Sequence, residues 1–315
     1  MTRIAIITAL PGELKPFLDA NAKEGWVHER HGNVKLWRLT WPLDQGEWIA
    51  ACAGAGADAA TRAFAEVERL GPIDSVISTG WAGALREELV PGGAYWVAGV
   101  IDARTGERFL TADFEAESKA LKGHGFSRAV EEPKLATALA AEGMQADQET
   151  PPQGLKPHVS SAAFVARLKS CPDTKRLSET RSTSCTVEAA AFQNECWLAT
   201  SPTVADAAEK QRLAATYAAA LVDMEASAVA RLAQMRGIPF YCVKGISDGY
   251  SDQLPDFNRF ISPSGQFKLA QFIVFVLLRP RYWPALMRMG ENSRRAAQGI
   301  AASLLGFLEE PGHVR

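Results

Sequence analysis

The sequence predicts an α/β fold: a single domain with a central mixed, mostly parallel sheet flanked by helices on both faces, followed by a C-terminal helical extension. Two observations carry this expectation. Short apolar runs bounded by Gly, Pro or polar residues alternate with segments of helical composition, and such alternation requires crossover connections and therefore parallel strands. The chain is also long enough, at 315 residues and 47% hydrophobic, to bury one large core. The expected boundaries are 1–260 for the α/β domain and 261–315 for the extension.

In chain order, the expected strands are residues 4–8, 48–53, 75–79, 95–101, 197–200, 219–223 and 240–246, all short and apolar. Helices are expected at 57–70, 205–217 and 226–236. Residues 111–160 are polar, and the turn-rich 149–154 reads as a surface connection. Near the C-terminus an apolar run at 267–278 leads into Arg279-Pro280-Arg281-Tyr282-Trp283-Pro284 and a helix reaching about residue 308. The run falls short of the roughly 20 residues that span a bilayer. It reads first as a core helix followed by a packing helix. The second reading is a surface facing a membrane or a partner subunit, suggested by Arg279, Arg281, Arg288, Arg294 and Arg295 beside aromatic residues.

The formal charge of −2 gives no reason to expect nucleic acid as a partner. Five cysteines, none in a C-x-x-C pair, favour reduced thiols and a cytoplasmic setting. The start, Met1-Thr2-Arg3-Ile4, runs into a strand pattern without a signal-peptide architecture. His28, His31, His124, His158 and His313 show no metal-ligand spacing, so no metal is expected. Gly54-Ala55-Gly56 resembles half of a dinucleotide fingerprint, but the third glycine and the ribose acid are not evident; no cofactor is expected.

The chemistry concentrates in Leu221-Val222-Asp223-Met224-Glu225-Ala226 and Val243-Lys244-Gly245-Ile246-Ser247-Asp248. Each places carboxylates at the end of an apolar run, where a buried strand emerges at a cleft, and burying such groups is costly unless they are paired. In parallel sheets, ligands bind beyond the carboxyl ends of the strands, where Glu13, Trp81, Glu225 and Asp248 are expected. Taken alone, Glu13 reads as a first-turn helix acid, Asp248 as an N-cap or turn residue, and Met224 as core.

Together these segments resemble the nucleoside phosphorylase and nucleosidase family, especially its methylthioadenosine/S-adenosylhomocysteine nucleosidase branch. Ile4-Ala5-Ile6-Ile7-Thr8-Ala9-Leu10-Pro11-Gly12-Glu13 is similar to that branch's first strand and acid-bearing loop. Ser78-Thr79-Gly80-Trp81-Ala82-Gly83 is similar to its glycine-containing turn, and Pro91-Gly92-Gly93-Ala94-Tyr95 stands where the next strand begins. The resemblance implies a purine nucleosidase acting on an adenosine-type nucleoside, with a homodimer as its assembly. It implies that Asp248 protonates the base, that Glu13 activates water and that Glu225 accepts the ribose hydroxyls. Met224, Asp223, Trp81, Gly80, Ala82, Thr203, Val204 and Ser247 complete the substrate contacts. For Asp223 the alternative is a carboxylate that caps or supports its loop.

Trp81 occupies a position where the family usually has a small hydroxyl residue, and Lys244 one where it commonly has arginine, which favours hydrolysis over phosphorolysis. The indole is expected over the pocket or, alternatively, under the C-terminal helix. The Arg-Pro-Arg tail resembles hopanoid-associated members of the family, implying a hydrophobic 5′ substituent and contact with a membrane or lipid-linked substrate. A phosphorylase with an unusual phosphate site and a non-catalytic nucleoside binder are the alternatives.

Overall fold

The computed structural model describes residues 2–22, 25–40, 46–112 and 196–309. The expected surface connection at 149–154 lies outside them, as do Cys171 and Cys185. Strands are β1 (Thr2–Thr8), β2 (Val27–His31), β3 (Val34–Thr40), β4 (Gly46–Cys52), β5 (Ser75–Ala84), β6 (Ala94–Trp96), β7 (Gly99–Asp102), β8 (Arg108–Leu110), β9 (Trp197–Thr200), β10 (Leu221–Asp223) and β11 (Phe240–Asp248). Helices are α1 (Pro11–Ala20), α2 (Ala57–Arg69), α3 (Ala207–Tyr217), α4 (Ala226–Arg236), α5 (Leu269–Leu277) and α6 (Trp283–Glu309), with a short 3₁₀ turn at Phe257–Phe260.

One mixed sheet runs β2-β3-β4-β1-β5-β10-β9-β7-β8, and β11 joins it by pairing with β5 and β6. The sheet forks at β5. Its first half lies parallel to β1, and its other edge pairs with β11 in parallel from Val76 to Gly83. Beyond the end of β1, Gly83 and Ala84 take β10 in antiparallel register. Ile4 to Ile7 are all buried because this strand is covered on both faces. One face packs Ala59, Ala63 and Phe64 of α2 with Val229, Ala230 and Ala233 of α4. The other packs Leu14 and Phe17 of α1 with Ile300 and Leu304 of α6.

Local signals explain the element ends. Pro11 opens α1 at a position where a missing N–H is harmless. The Asp206 carboxylate accepts from Glu209 N–H to start α3, and Gly237 at φ 66° closes α4. A Cβ on Gly245 would stand 2.8 Å from the Ala296 Cβ, so glycine there lets α6 lie directly on β11.

Three expectations are corrected. The 75–79 strand continues through Gly80-Trp81-Ala82-Gly83, because β11 and β10 supply partners to a segment that reads as a turn. The 95–101 strand is two, β6 against β11 and β7 between β8 and β9. The 267–278 run is not a core helix, since no residue of α5 is buried.

Candidate active site

Glu13 sits in the first turn of α1 and is also enclosed by β5. Its Oε2 accepts from the Thr8 hydroxyl and from the N–H groups of Ala9 (3.0 Å) and Leu10 (2.9 Å). Among the described residues Oε1 accepts only from Trp81 N–H, at 3.0 Å, and so keeps acceptor capacity. Glu13 thus has the place of the first-turn helix acid, with its carboxylate also reaching β5. Burial raises its pKa despite these four donors. Gly80 is what admits it: φ is +136°, and a Cβ would fall 2.9 Å from Glu13 Oε2.

Asp248 ends β11 opposite Gly83, and Lys244, within the same strand, stands opposite Gly80. The Gly80–Gly83 segment thus has Glu13 at one end and Asp248 at the other, roughly 10 Å of extended strand apart. Asp248 is buried and paired with Lys210 of α3, whose Nζ also donates to Gly249 O at 2.6 Å. Ser247 Oγ lies 2.5 Å from Asp248 Oδ1 and 3.2 Å from Ala82 O, so Ser247 and Ala82 act on the acid's orientation. The sequence reading missed Lys210. Its signal was a lysine in the buried stripe with Leu213, three residues on.

Between these ends lies a buried charge cluster. Lys244, 1% exposed, pairs with Asp223 at 2.9 Å and donates to Thr79 O at 3.3 Å. Burial lowers the Lys244 pKa, but Asp223 and its other neighbours raise it further, so the ammonium is held above its ordinary range. Asp223 also accepts from the Thr200 hydroxyl (2.8 Å) and from Ala226 N–H (2.9 Å). With no side-chain exposure, Asp223 has the geometry of the loop-supporting alternative rather than of a ligand contact.

Glu225 accepts from Gly56 N–H at 2.7 Å and Met224 N–H at 3.2 Å. Burial, with Asp223 beside it, pushes its pKa up to about 7, while Lys244 pulls the other way. The Gly54-Ala55-Gly56 turn, at φ +109° and +93° for its glycines, presents an N–H to this carboxylate. Met224 lines an adjoining cavity of about 480 Å³ with Gly56, Thr200 and Ser227. Glu13 and Asp248 are not among the residues lining it.

The remaining candidates fall away from that geometry. The Trp81 indole turns to α6, where Nε1 donates to Ser293 O at 2.9 Å, so the expectation that it stands over the pocket gives way to the packing alternative. Both backbone polar groups of Val204 are taken by Asn258, at 2.8 and 3.0 Å. Thr203 is exposed, and its N–H reaches Ser201 Oγ at 3.4 Å. Cys52, Cys196 and Cys242 are free and buried, each with its pKa pushed up to about 12 by that burial.

The sequence profile of the phosphorylase superfamily matches residues 3–265. The chain belongs to this family. Among solved structures, a mutant of futalosine hydrolase from Helicobacter pylori is similar over 98% of this chain and 99% of its own, at 13% identity and a TM-score of 0.56. The 5′-methylthioadenosine/S-adenosyl homocysteine nucleosidases of H. pylori and Campylobacter jejuni are each 14% identical, with a TM-score of 0.55. Each aligns with 98% of this chain, over 98% and 99% of its own length respectively. At these identities the likeness speaks for the fold. No curated protein matches the chain.

Proposed function

We propose that this protein is an N-glycosyl hydrolase that cleaves the N-ribosidic bond of an adenosine-type nucleoside carrying an apolar 5′ substituent. The observation that supports this most is the placement of three buried carboxylates around the small-residue end of β5. Glu13 and Asp248 flank Gly80–Gly83, and Glu225 is close enough to feel the charges of Lys244 and Glu13. Bond breaking leaves an electron pair on the base and positive charge on the sugar, so the site needs an acid at one end and a water-binding base at the other.

In its protonated form Asp248 gives a proton to the base as the C–N bond breaks, and the carboxylate left behind pairs with Lys210. Water attacks the sugar carbon and loses its proton to Glu13 Oε1, and solvent then restores both carboxyl groups. Glu225, in its ionised form, accepts the ribose hydroxyls, and Met224 lies against the sugar at the cavity edge. Lys210 holds Asp248 toward the base. Hydrolysis is favoured because Lys210 and Lys244, the lysines described at this centre, are committed to Asp248 and Gly249 O and to Asp223 and Thr79 O respectively. We further propose that residues after about 260 form an extension to the catalytic domain.

The test is incubation of the purified chain with adenosine and 5′-alkyl adenosines, with and without phosphate. Free base and free ribose without phosphate are expected. Strictly phosphate-dependent release, with ribose 1-phosphate as the sugar product, would establish a phosphorylase instead; absence of base release would leave a binder.

A further inference from the structure

We propose that the outer face of α5, with the turn and first residues of α6 that follow it, docks onto an anionic lipid bilayer surface. Helix α5 is apolar on both faces. Its inner face is covered: Phe272 and Phe275 lie 5.3 and 5.1 Å from the Phe260 ring, within a cluster that includes Phe257 and Phe267. Its outer face is bare. Leu269, Ile273 and Leu277, spaced four apart, are 60, 47 and 62% exposed, and Val274 and Leu278 extend the stripe. With Trp283 and Met287, this short region holds seven of the eleven exposed large hydrophobics among the described residues. A solvated helix carries polar side chains there, and contiguous apolar exposure marks a docking surface.

Charge identifies the partner. Between Phe257 and Gly290 the chain has Arg259, Lys268, Arg279, Arg281 and Arg288 and no acidic residue, although the whole chain is slightly acidic. The Arg279 and Arg281 guanidinium groups lie 4.1 and 4.7 Å from the ring centres of Phe275 and Tyr282, at the end of the apolar helix. Cations and aromatic rings bordering an apolar stripe suit a headgroup region with acyl chains beneath it. A second copy suits it less, because a two-fold contact would set the same cations against each other. The element lies on the surface rather than crossing it, since no helix among the described residues is long and apolar enough to span a membrane.

This face is tied to the cavity beside Met224. The segment entering α5 supplies Ile261, Ser262 and Gly265 to the cavity wall. Gly265 O accepts from Ala55 N–H at 2.8 Å, and the Gln266 amide donates to Ala53 O at 2.8 Å. On the nucleosidase reading, on which this last step rests, a substrate anchored by an apolar 5′ group reaches the site from the bilayer.

The experiment is co-sedimentation of the full chain with phosphatidylcholine vesicles, with and without phosphatidylglycerol, across a salt series. Binding to the anionic vesicles, weakening as salt rises, is expected. Ile273→Ser with Leu277→Ser should abolish it, and Arg279→Gln with Arg281→Gln should weaken it roughly 30-fold. Urea unfolding of each variant confirms that the fold survives. No vesicle binding, equal binding to neutral vesicles, or full binding by the apolar variant overturns the proposal. So does an oligomer that the apolar variant dissociates while vesicles go unbound, which would make a second copy the occupant. Hydrolysis of a soluble nucleoside, measured without vesicles, separates failure of docking from failure of the nucleosidase reading.

Discussion

Replacing Lys244 with methionine tests the charge cluster that underlies the site. The side chain keeps its length and apolar stem, so the change removes chiefly the cation. It leaves Asp223 with no side-chain exposure and, of its three partners among the described residues, only Thr200 and Ala226 N–H. Removing one member of a buried pair typically costs about 3–5 kcal/mol, because the other charge stays buried and uncompensated. That is a large part of the roughly 5–15 kcal/mol by which a domain is stable. The assay is urea unfolding at neutral pH. Adding Asp223→Asn removes the stranded charge while keeping a group able to bond Thr200 and Ala226, so the double variant should regain about 1–3 kcal/mol over Lys244→Met alone. If the double variant is as unstable as the two single losses added together, Lys244 and Asp223 are not a coupled pair and the cluster has been misread.

Asp248→Asn should lower kcat by about 10²–10⁴-fold with little change in KM, measured by adenine release. Lys210→Met, which frees Asp248 from its buried partner, should cost about 10²-fold in kcat through misplacement alone, and an unchanged rate would remove Lys210 from the site. Gly80→Ala should displace Glu13 and strain a backbone at φ +136°, destabilising by about 1–3 kcal/mol and depressing turnover. Glu225 has a folded pKa of about 7 against an ordinary 4.5, so its neutral form favours the fold. Its stabilisation is complete below about pH 4.5 and is lost as pH rises through 7, at most about 3 kcal/mol in all. Glu225→Gln should therefore gain stability relative to wild type at pH 8 but not at pH 4, as denaturant midpoints at the two pH values would show.

The acid-bearing strand ends were legible because motif and burial coincide there: β1, β10 and β11 are apolar runs that stop at polar groups, and the structure keeps them close to their expected spans. What escaped has physical causes. Val27–His31 carries two histidines, a glutamate and an arginine, and an edge strand with such a pattern has no apolar face to announce it. Gly80-Trp81-Ala82-Gly83 looks like a turn in isolation and is a strand only because two neighbours pair with it. Lys210 escaped because a lysine on a helix is ordinarily solvated, and its partner Asp248 lies on another element. The apolar composition of α5 pointed to the core, whereas its outer face is open to solvent.

The partners of β5 have a consequence for how the chain assembles. Val76 pairs with Phe240, and Lys244 and Gly245 then face Tyr95 and Ala94 of β6. During synthesis the first strands are made long before β11 emerges, and until then one edge of β5 and the near edge of β6 have no strand between them. An apolar edge left open in this way is a template for pairing with other chains, and contacts so distant in sequence form slowly. The last strand to arrive is also the one that brings Asp248, so acquisition of the acid and closure of the adhesive edge are a single folding event. Chains stopped before residue 240 should accumulate as aggregates rather than as a less active protein.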